Sequence, residues 1–336
     1  MLAVQAQEPR AAKLAFRARS RRLAGADVDH ARTEERSLLR AWMMRETVHL
    51  IATEDAGWLL PLFAPAIAAR SRKRLAVLGV GSPELERRLG EVRRWLANGP
   101  QPRSEIFARL EGRGFLTDVS ARYHLLGVLT AEGIACLGPD RDREDCLVLR
   151  EDWIGRPKEK PRDAALAELA RRYLAAYGPA ADRDLARWAG LPLRDCRAGF
   201  ERIATEVDEV RLGDQVALVP RGRGRRVATA PLIRLLGAFD NYNLGYVSRD
   251  FAVEAEDVKR ILPGGGVVRP TVTVDGRFVA TWSSKRSGNR LQFSVEPFEP
   301  LDPAWSATIA AEVEDIGRFE GVSAKLTEQA GYDLAR

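Results

Sequence analysis

A chain of 336 residues is longer than one compact core usually accommodates, and implies roughly two to four domains. Hydrophobic residues at 45% and charged residues at 30% describe an ordinary globular protein, with no apolar run able to cross a membrane and no secretion signal at its start. The three cysteines (Cys136, Cys146 and Cys196) favour reduced thiols over a disulfide framework, and the net charge of +6 favours an anionic partner.

The chain opens with Gln5 and Gln7 two residues apart. On an extended backbone both amides project from one side, with Val4 and Ala6 on the other. Pro9 suits the first turn of a helix, predicted over 9–23. Ala11, Leu14, Ala15 and Ala18 mark its inward face. Arg10, Lys13, Arg17 and Arg21 mark a basic face at spacings of three and four. A second helix is predicted over 33–44, with Leu38, Leu39, Trp42 and Met43 inward. Residues 46–51 read as a strand, and Thr53-Glu-Asp-Ala56 caps the next helix. Two or three helices followed by a short hairpin is the winged-helix pattern.

The pattern recurs. Ser82-Pro83 opens a helix over 82–96, residues 98–106 turn into a second, and Ser120 caps a third over 121–132. A hairpin follows, 134–137 with 146–149; it sets Cys136 and Cys146 near one another, though separate buried thiols are the simpler reading. A second copy begins near Arg162, with a helix at 164–177, a turn at 178–185 that matches 99–106, and a helix at 192–204. Its hairpin is 207–212 with 215–219, around Gly213-Asp214. In both copies Gly-Pro precedes a helix by a few residues, as a helix-turn-helix demands. The Pro/Lys/Glu-rich stretch 155–163 reads as a linker.

After Pro220 the character changes. The basic segment 221–226 is expected to be exposed and mobile. Residues 232–238 lead into Phe239-Asp-Asn-Tyr-Asn-Leu-Gly-Tyr246. A short helix over 254–262 stops at Pro263-Gly-Gly-Gly266. Strands are predicted at 267–274, 277–283 and 290–296, with Asp275-Gly276 as a hairpin turn, and a helix at 304–319 closes the chain. The expected class is α+β: tandem winged-helix domains at 1–80 (short at its N-terminus), 81–155 and 156–220, then a domain at 221–336 with a small antiparallel sheet or barrel and a closing helix.

Basic clusters at 10–22, 221–226 and 285–290 attract phosphate through counterion release. Each alone is more often a solvated face; three together bring nucleic acid level with that reading. His30, His49 and His124 form no ligand cluster with the cysteines, so no metal is expected. Gly264-Gly-Gly266 lacks the strand and helix that flank a phosphate loop and reads as a helix stop. Asp240, among aromatics, needs a hydrogen-bond partner. It is either a turn-capping carboxylate, the favoured reading, or a general base or lesion contact.

Four stretches then align with a known family. They are Val4-Gln-Ala-Gln-Glu-Pro9, Leu38-Leu-Arg-Ala-Trp-Met-Met-Arg-Glu-Thr-Val-His-Leu-Ile51, Leu236-Gly-Ala-Phe-Asp-Asn-Tyr-Asn-Leu-Gly-Tyr246 and Pro263-Gly-Gly-Gly-Val-Val-Arg-Pro270. In this order and spacing, over nearly the whole chain, they resemble the winged-helix DNA glycosylases of the AlkZ/YcaQ type, bacterial enzymes that unhook bulky alkylated purines and interstrand crosslinks. Gln-x-Gln is the most diagnostic piece; the YcaQ-like branch has Gln-x-Asp there. The family carries a further helix ahead of this motif, and here the chain begins almost on it.

The resemblance implies that Gln5 and Gln7 are catalytic, and the chemistry agrees. An N7-alkylated purine leaves as a cationic base and needs little acid help. Two amides can hold a water and stabilise an oxocarbenium-like transition state. Arg10, Lys13 and Arg17 are candidate phosphate contacts. Arg45 and His49 lie where the family has Arg-x-Thr-x-His and are candidate DNA or lesion contacts, although a strand histidine is more often simply packed; Lys285 and Arg286 sit on a hairpin tip able to enter a groove, and Asp240 is a candidate lesion contact. The resulting expectation is a cytoplasmic, monomeric, monofunctional DNA glycosylase without cofactor. Its substrate is duplex DNA carrying N7-alkylated purines or interstrand crosslinks, in repair or self-resistance. The rivals are a non-enzymatic winged-helix transcriptional regulator and a protein that sequesters alkylating agents.

Overall fold

A computed structural model describes residues 1–327 except 116, 117, 143, 213, 214 and 224–229. Residues 224–226 of the basic segment and the Gly213-Asp214 turn therefore lie outside the described residues. Strand β1 (Ala3–Gln5) leads to helix α1 (Pro9–Arg17). Glu8 caps that helix, its carboxylate accepting from the backbone N–H of Arg10 and Ala11, and Pro9 occupies the first turn, where no N–H is needed. The predicted helix does not reach residue 23. Arg22 stands at φ 66, which a right-handed helix excludes, and α2 (Gly25–Thr33) starts separately.

The clearest correction falls at 33–44, predicted helical. Strands β2 (Leu38–Trp42) and β3 (Val48–Ala52) instead pair antiparallel, Leu39 opposite Ile51 and Ala41 opposite His49. Leu39 and Ala41 are buried while Leu38, Arg40 and Trp42 are half-buried, a period of two. Five residues, four of them apolar, fit either period, and the pairing partner decides.

The chain continues through α3 (Ala56–Leu59), α4 (Ala64–Val77), α5 (Ser82–Leu96), β4 (Gln101–Pro102), α6 (Arg103–Glu111) and α7 (Val119–Ala131). The cap of α7 is Asp118, which accepts from the N–H of Ser120 at 2.7 Å, rather than Ser120 itself. Strands β5 (Ala135–Arg141) and β6 (Glu144–Leu149) form the hairpin, followed by α8 (Arg150–Ile154). The second copy comprises α9 (Arg162–Tyr177), α10 (Asp182–Ala189), α11 (Leu193–Arg202) and the hairpin of β7 (Val207–Leu212) with β8 (Gln215–Pro220). Then come β9 (Ile233–Leu236), α12 (Asn241–Leu244), α13 (Val258–Ile261), β10 (Thr271–Val274), β11 (Arg277–Ser287), β12 (Arg290–Pro297), α14 (Ser306–Glu320) and β13 (Ser323–Leu326).

These elements form two units: Met1–Ala3 with His30–Pro220, and Val4–Asp29 with the chain after Pro220. In the first, β3, β2, β5, β6 and β4 form a sheet in that order, and β1 starts at its edge with Ala3. Cys136 lies opposite Val148 and Cys146 opposite Pro102, so the two thiols are not paired across the hairpin; both are buried and free. Tyr173, Tyr177 and Trp188 cluster with ring centroids 4.9 to 5.3 Å apart, the two tyrosines stacked and the indole tilted against both. The predicted linker is seated on α3: a Cβ at Gly57 would meet the Pro157 carbonyl oxygen at 2.5 Å.

In the second unit the strand order is β13-β12-β11-β10-β9. Four strands are antiparallel, but β13 joins β12 in parallel, a departure from the all-antiparallel expectation. Asp275 (φ 50) and Gly276 (φ 85) make the two-residue turn between β10 and β11, with both residues left-handed as a type I′ turn requires. Helix α14 buries Ile309, Val313, Ile316 and Phe319. Gly237 lets α1 approach closely: a Cβ there would lie 3.2 Å from Leu14 and 3.3 Å from the Ala11 carbonyl oxygen. Among the described residues, no helix is long and apolar enough to cross a membrane.

Candidate glutamine site and nucleic-acid interface

The opening residues of the second unit carry the glutamines. Val4 and Ala6 are buried, Gln5 is half-buried and Gln7 is exposed, the alternation that extended backbone imposes. The Gln5 Nε2 donates to Gln7 Oε1 at 2.8 Å. Two neutral amides, each with a donor and an acceptor, thus stand within one hydrogen bond of each other. The nearest acid in sequence, Glu8, has both carboxylate oxygens committed to the first turn of α1. Directly after the motif, Glu8, Arg10 and Leu14 line a cleft of about 480 Å³ together with Arg269, Trp282 and Ser284.

The basic stripe of α1 is largely paired. Arg10 Nε donates to Glu320 at 2.7 Å and its Nη1 to Ser284 Oγ at 3.1 Å. Lys13 pairs with Asp29. Arg17, expected to meet phosphate, is instead buried: its Nε binds Asp315 at 2.8 Å, its Nη2 Glu312 at 2.5 Å and its Nη1 the Leu235 carbonyl at 3.2 Å. The cause is α14, which presents Glu312, Asp315 and Glu320 to α1. Burial pushes Asp315 up, but hydrogen bonds from Arg17 and Arg318 outweigh it and hold the carboxyl below its ordinary range. The spacing of these acids was readable; that they face α1 was not.

Asp240 is buried and fully engaged. It takes two bonds from Arg19, at 2.8 and 2.6 Å, and accepts from the Tyr242 N–H at 2.8 Å to cap α12. The capping reading holds, with an ion pair added. The three glycines at 264–266 all have positive φ and form a turn. Lys285 and Arg286 stand exposed on β11, close to the tip at Gly288, opposite Gln292 and Leu291 of β12.

Arg45 and His49 belong to the first unit. His49, expected to touch DNA or a lesion, is buried in β3 with Nδ1 3.1 Å from the Thr47 carbonyl, so it is a packed strand histidine. Burial first, and then the charge of Arg45, lower its pKa to about 3. The ring is therefore neutral in the folded protein. Unfolded, it titrates near its ordinary value of about 6.5. Folding loses nothing above that pH; below it the unfolded chain takes a proton that the folded chain refuses, until about pH 3. We expect about 2 kcal/mol of stability to be lost between pH 7 and 5 through this group alone. Urea melts of wild type and His49→Gln at both pH values check this, and equal pH dependence in the two would refute it.

A family model described as "DNA glycosylase AlkZ-like" matches residues 1–319. The interstrand DNA cross-link repair glycosylase of Streptomyces sahachiroi is 29% identical over 301 residues, covering 85% of this chain and 80% of that protein. The solved structure of Streptomyces sahachiroi DNA glycosylase AlkZ aligns with a TM-score of 0.79 and 26% identity, over 97% of this chain and 91% of that one.

Proposed function

The chain belongs to the AlkZ-like DNA glycosylase family, and from that premise we propose that it hydrolyses the N-glycosidic bond of N7-alkylated purines in duplex DNA, interstrand crosslinks included, with Gln5 and Gln7 as its catalytic pair. The observation that carries this is the pair of hydrogen-bonded amides at the head of α1. An amide oxygen accepts a hydrogen bond from the attacking water and an amide N–H donates to its oxygen. The water oxygen bonds to C1′ as the bond to N9 breaks. The purine leaves with that electron pair, which neutralises its ring, and the surplus water proton passes to solvent. The amide dipoles stabilise the oxocarbenium-like sugar without the full carboxylate that a neutral leaving base would require.

A crosslinked base costs too much to flip into a closed pocket, and a surface site at exposed Gln7 and half-buried Gln5 suits it better. Lys13, Arg10, Arg45, Lys285 and Arg286 are the cations we assign to DNA phosphates. We assign segments 1–80, 81–155 and 156–220 to three winged-helix modules. In support, α5, α6 and α7 precede one hairpin and α9, α10 and α11 another. The protein acts as a monomer in the cytoplasm. Wild-type protein is expected to release base from a duplex with one N7-methylguanine and to unhook a duplex crosslinked through N7-alkylated guanines. Release from neither, by protein that is folded by circular dichroism, would leave a DNA-binding regulator as the better account.

A further inference from the structure

In the second unit, residues 18–24 join α1 to α2 through a strained turn. Arg22 stands at φ 66, a left-handed backbone that residues other than glycine and asparagine seldom adopt. The surroundings hold it there. Before Arg22, the Ser20 hydroxyl donates to the Phe16 carbonyl at 2.8 Å. After it, Arg318 Nη1 donates to the Leu23 carbonyl at 3.1 Å, and the Ala24 N–H donates to the Asp27 carboxylate at 2.7 Å. Gly25 seats the connection on α14: a Cβ there would lie 3.1 Å from the Phe319 carbonyl oxygen. Strain sustained by its surroundings in this way collects at functional positions.

Arg22 lines a cleft of about 380 Å³ with Ser20, Arg21, Arg234 and Arg318, together with Arg17 and its acids Glu312 and Asp315. Five arginines thus meet two carboxylates, and both carboxylates are already engaged. Glu312 accepts from Arg17 and from the Leu235 N–H; Asp315 accepts from the Nε of Arg17 and of Arg318, at 2.8 and 2.7 Å. Arg318 spends its Nε and Nη1 in this way and keeps Nη2. Arg21 and Arg22 are exposed, and neither side chain forms an ion pair among the described residues. The cleft therefore carries an excess of positive charge, with donors left over at its surface. An anion entering it meets guanidiniums that repel one another in the free protein.

We propose that this cleft holds one phosphodiester group of the DNA backbone, with Arg21 and Arg22 as its ligands and Arg318 Nη2 as a further donor. Planar guanidinium forks match the oxygens of a phosphate. Arg17 takes no part in the contact; it keeps the two acids occupied. The site rests on the DNA-glycosylase reading, which supplies the polyanion.

The test is binding of an undamaged fluorescent duplex across roughly 0.05 to 0.3 M salt, where each phosphate that the protein ceases to neutralise lowers the log–log slope by about 0.9. Arg21→Gln combined with Arg22→Asn is expected to bind several-fold more weakly and to lose about 0.9 of slope. Arg22→Lys keeps the charge and is expected to keep the wild-type slope. Arg94→Gln, exposed on α5, gives the effect of an ordinary surface charge. The melting temperature of the free double variant is expected to stay level or rise, since like charges have gone and asparagine tolerates the left-handed turn. Three results would overturn the site. They are a double-variant slope equal to that of Arg94→Gln, which leaves the cleft to an acidic protein or to solvent; a slope lost equally by Arg22→Lys; and a melting temperature that falls together with affinity. Base release is scored separately. Slope loss without release by wild type retires the glycosylase reading and keeps the phosphate site; release with no slope loss retires the phosphate site alone.

Discussion

Gln5→Ala combined with Gln7→Ala lowers single-turnover base release from an N7-methylguanine duplex by about a hundredfold or more, roughly 3 kcal/mol of transition-state stabilisation. The size follows from what the amides do. Neither carries charge or donates a proton to the leaving base, so both act by orienting water and by dipoles aimed at charge that develops only in the transition state. Such interactions lower the rate of the chemical step and leave ground-state affinity nearly unchanged. The expected signature is therefore a collapse in rate with duplex affinity within a few-fold of wild type. Gln7 is exposed and Gln5 half-buried, so truncation leaves the apolar face of Val4 and Ala6 in place and the fold intact. The two side chains are hydrogen-bonded to each other, so the single variants are not additive. A double variant that releases base at the wild-type rate would remove the glutamines from the mechanism while leaving the family assignment standing.

Arg17→Met is expected to destabilise the protein by about 3 kcal/mol, the lower end of what breaking a buried pair costs. The side chain is 2% exposed, against 12% for Glu312 and 36% for Asp315. Glu312 carries most of the effect, because Asp315 is open enough for water to screen it. The loss stays at the low end since Glu312 also accepts from the Leu235 N–H at 3.1 Å and lies 3.4 Å from Arg234. Lys13→Met, which breaks the more exposed pair with Asp29, changes stability by less than about 1 kcal/mol. Urea unfolding separates the two. A phosphate-binding Arg17 would give the reverse pattern, an altered salt dependence of DNA affinity with unchanged stability.

The same stripe on α1 shows where sequence reading stops. Arg10, Lys13 and Arg17 share one face by periodicity, and that much is correct. Their fates then diverge according to what each meets. Arg17 lies 298 residues from Asp315, and nothing in the spacing of either helix says that the two helices pack together. Asp240 follows the same logic, since its partner Arg19 is 221 residues away. The capping half of its role is local and was legible; the ion pair was not. At 38–42 the apolar residues suit two periods, and only the strand partner β3 chooses between them. Strand β13 was missed because four residues, Ser-Ala-Lys-Leu, carry too little pattern to declare a strand. His49 was legible as a packed strand histidine or as a contact, and only the packing, which buries Val48, His49, Leu50 and Ile51 alike, chose the first.

From its own residues the chain determined what short-range physics can decide. The cap and proline opening α1, the helices after Ser82 and Arg162, the repeated helix–hairpin order, the Asp275-Gly276 turn and the paired Gln5 and Gln7 all depend on neighbours within a few positions, where propensity and sterics act directly. Tertiary structure alone decided which cations of α1 are spent on acids, how the β2–β3 and β5–β6 hairpins join in one sheet, and that Arg45 stands in a strained turn against Gly190 at the end of α10. Those outcomes depend on contacts between residues far apart in the chain, and a periodic sequence states which face is apolar without stating what that face will meet.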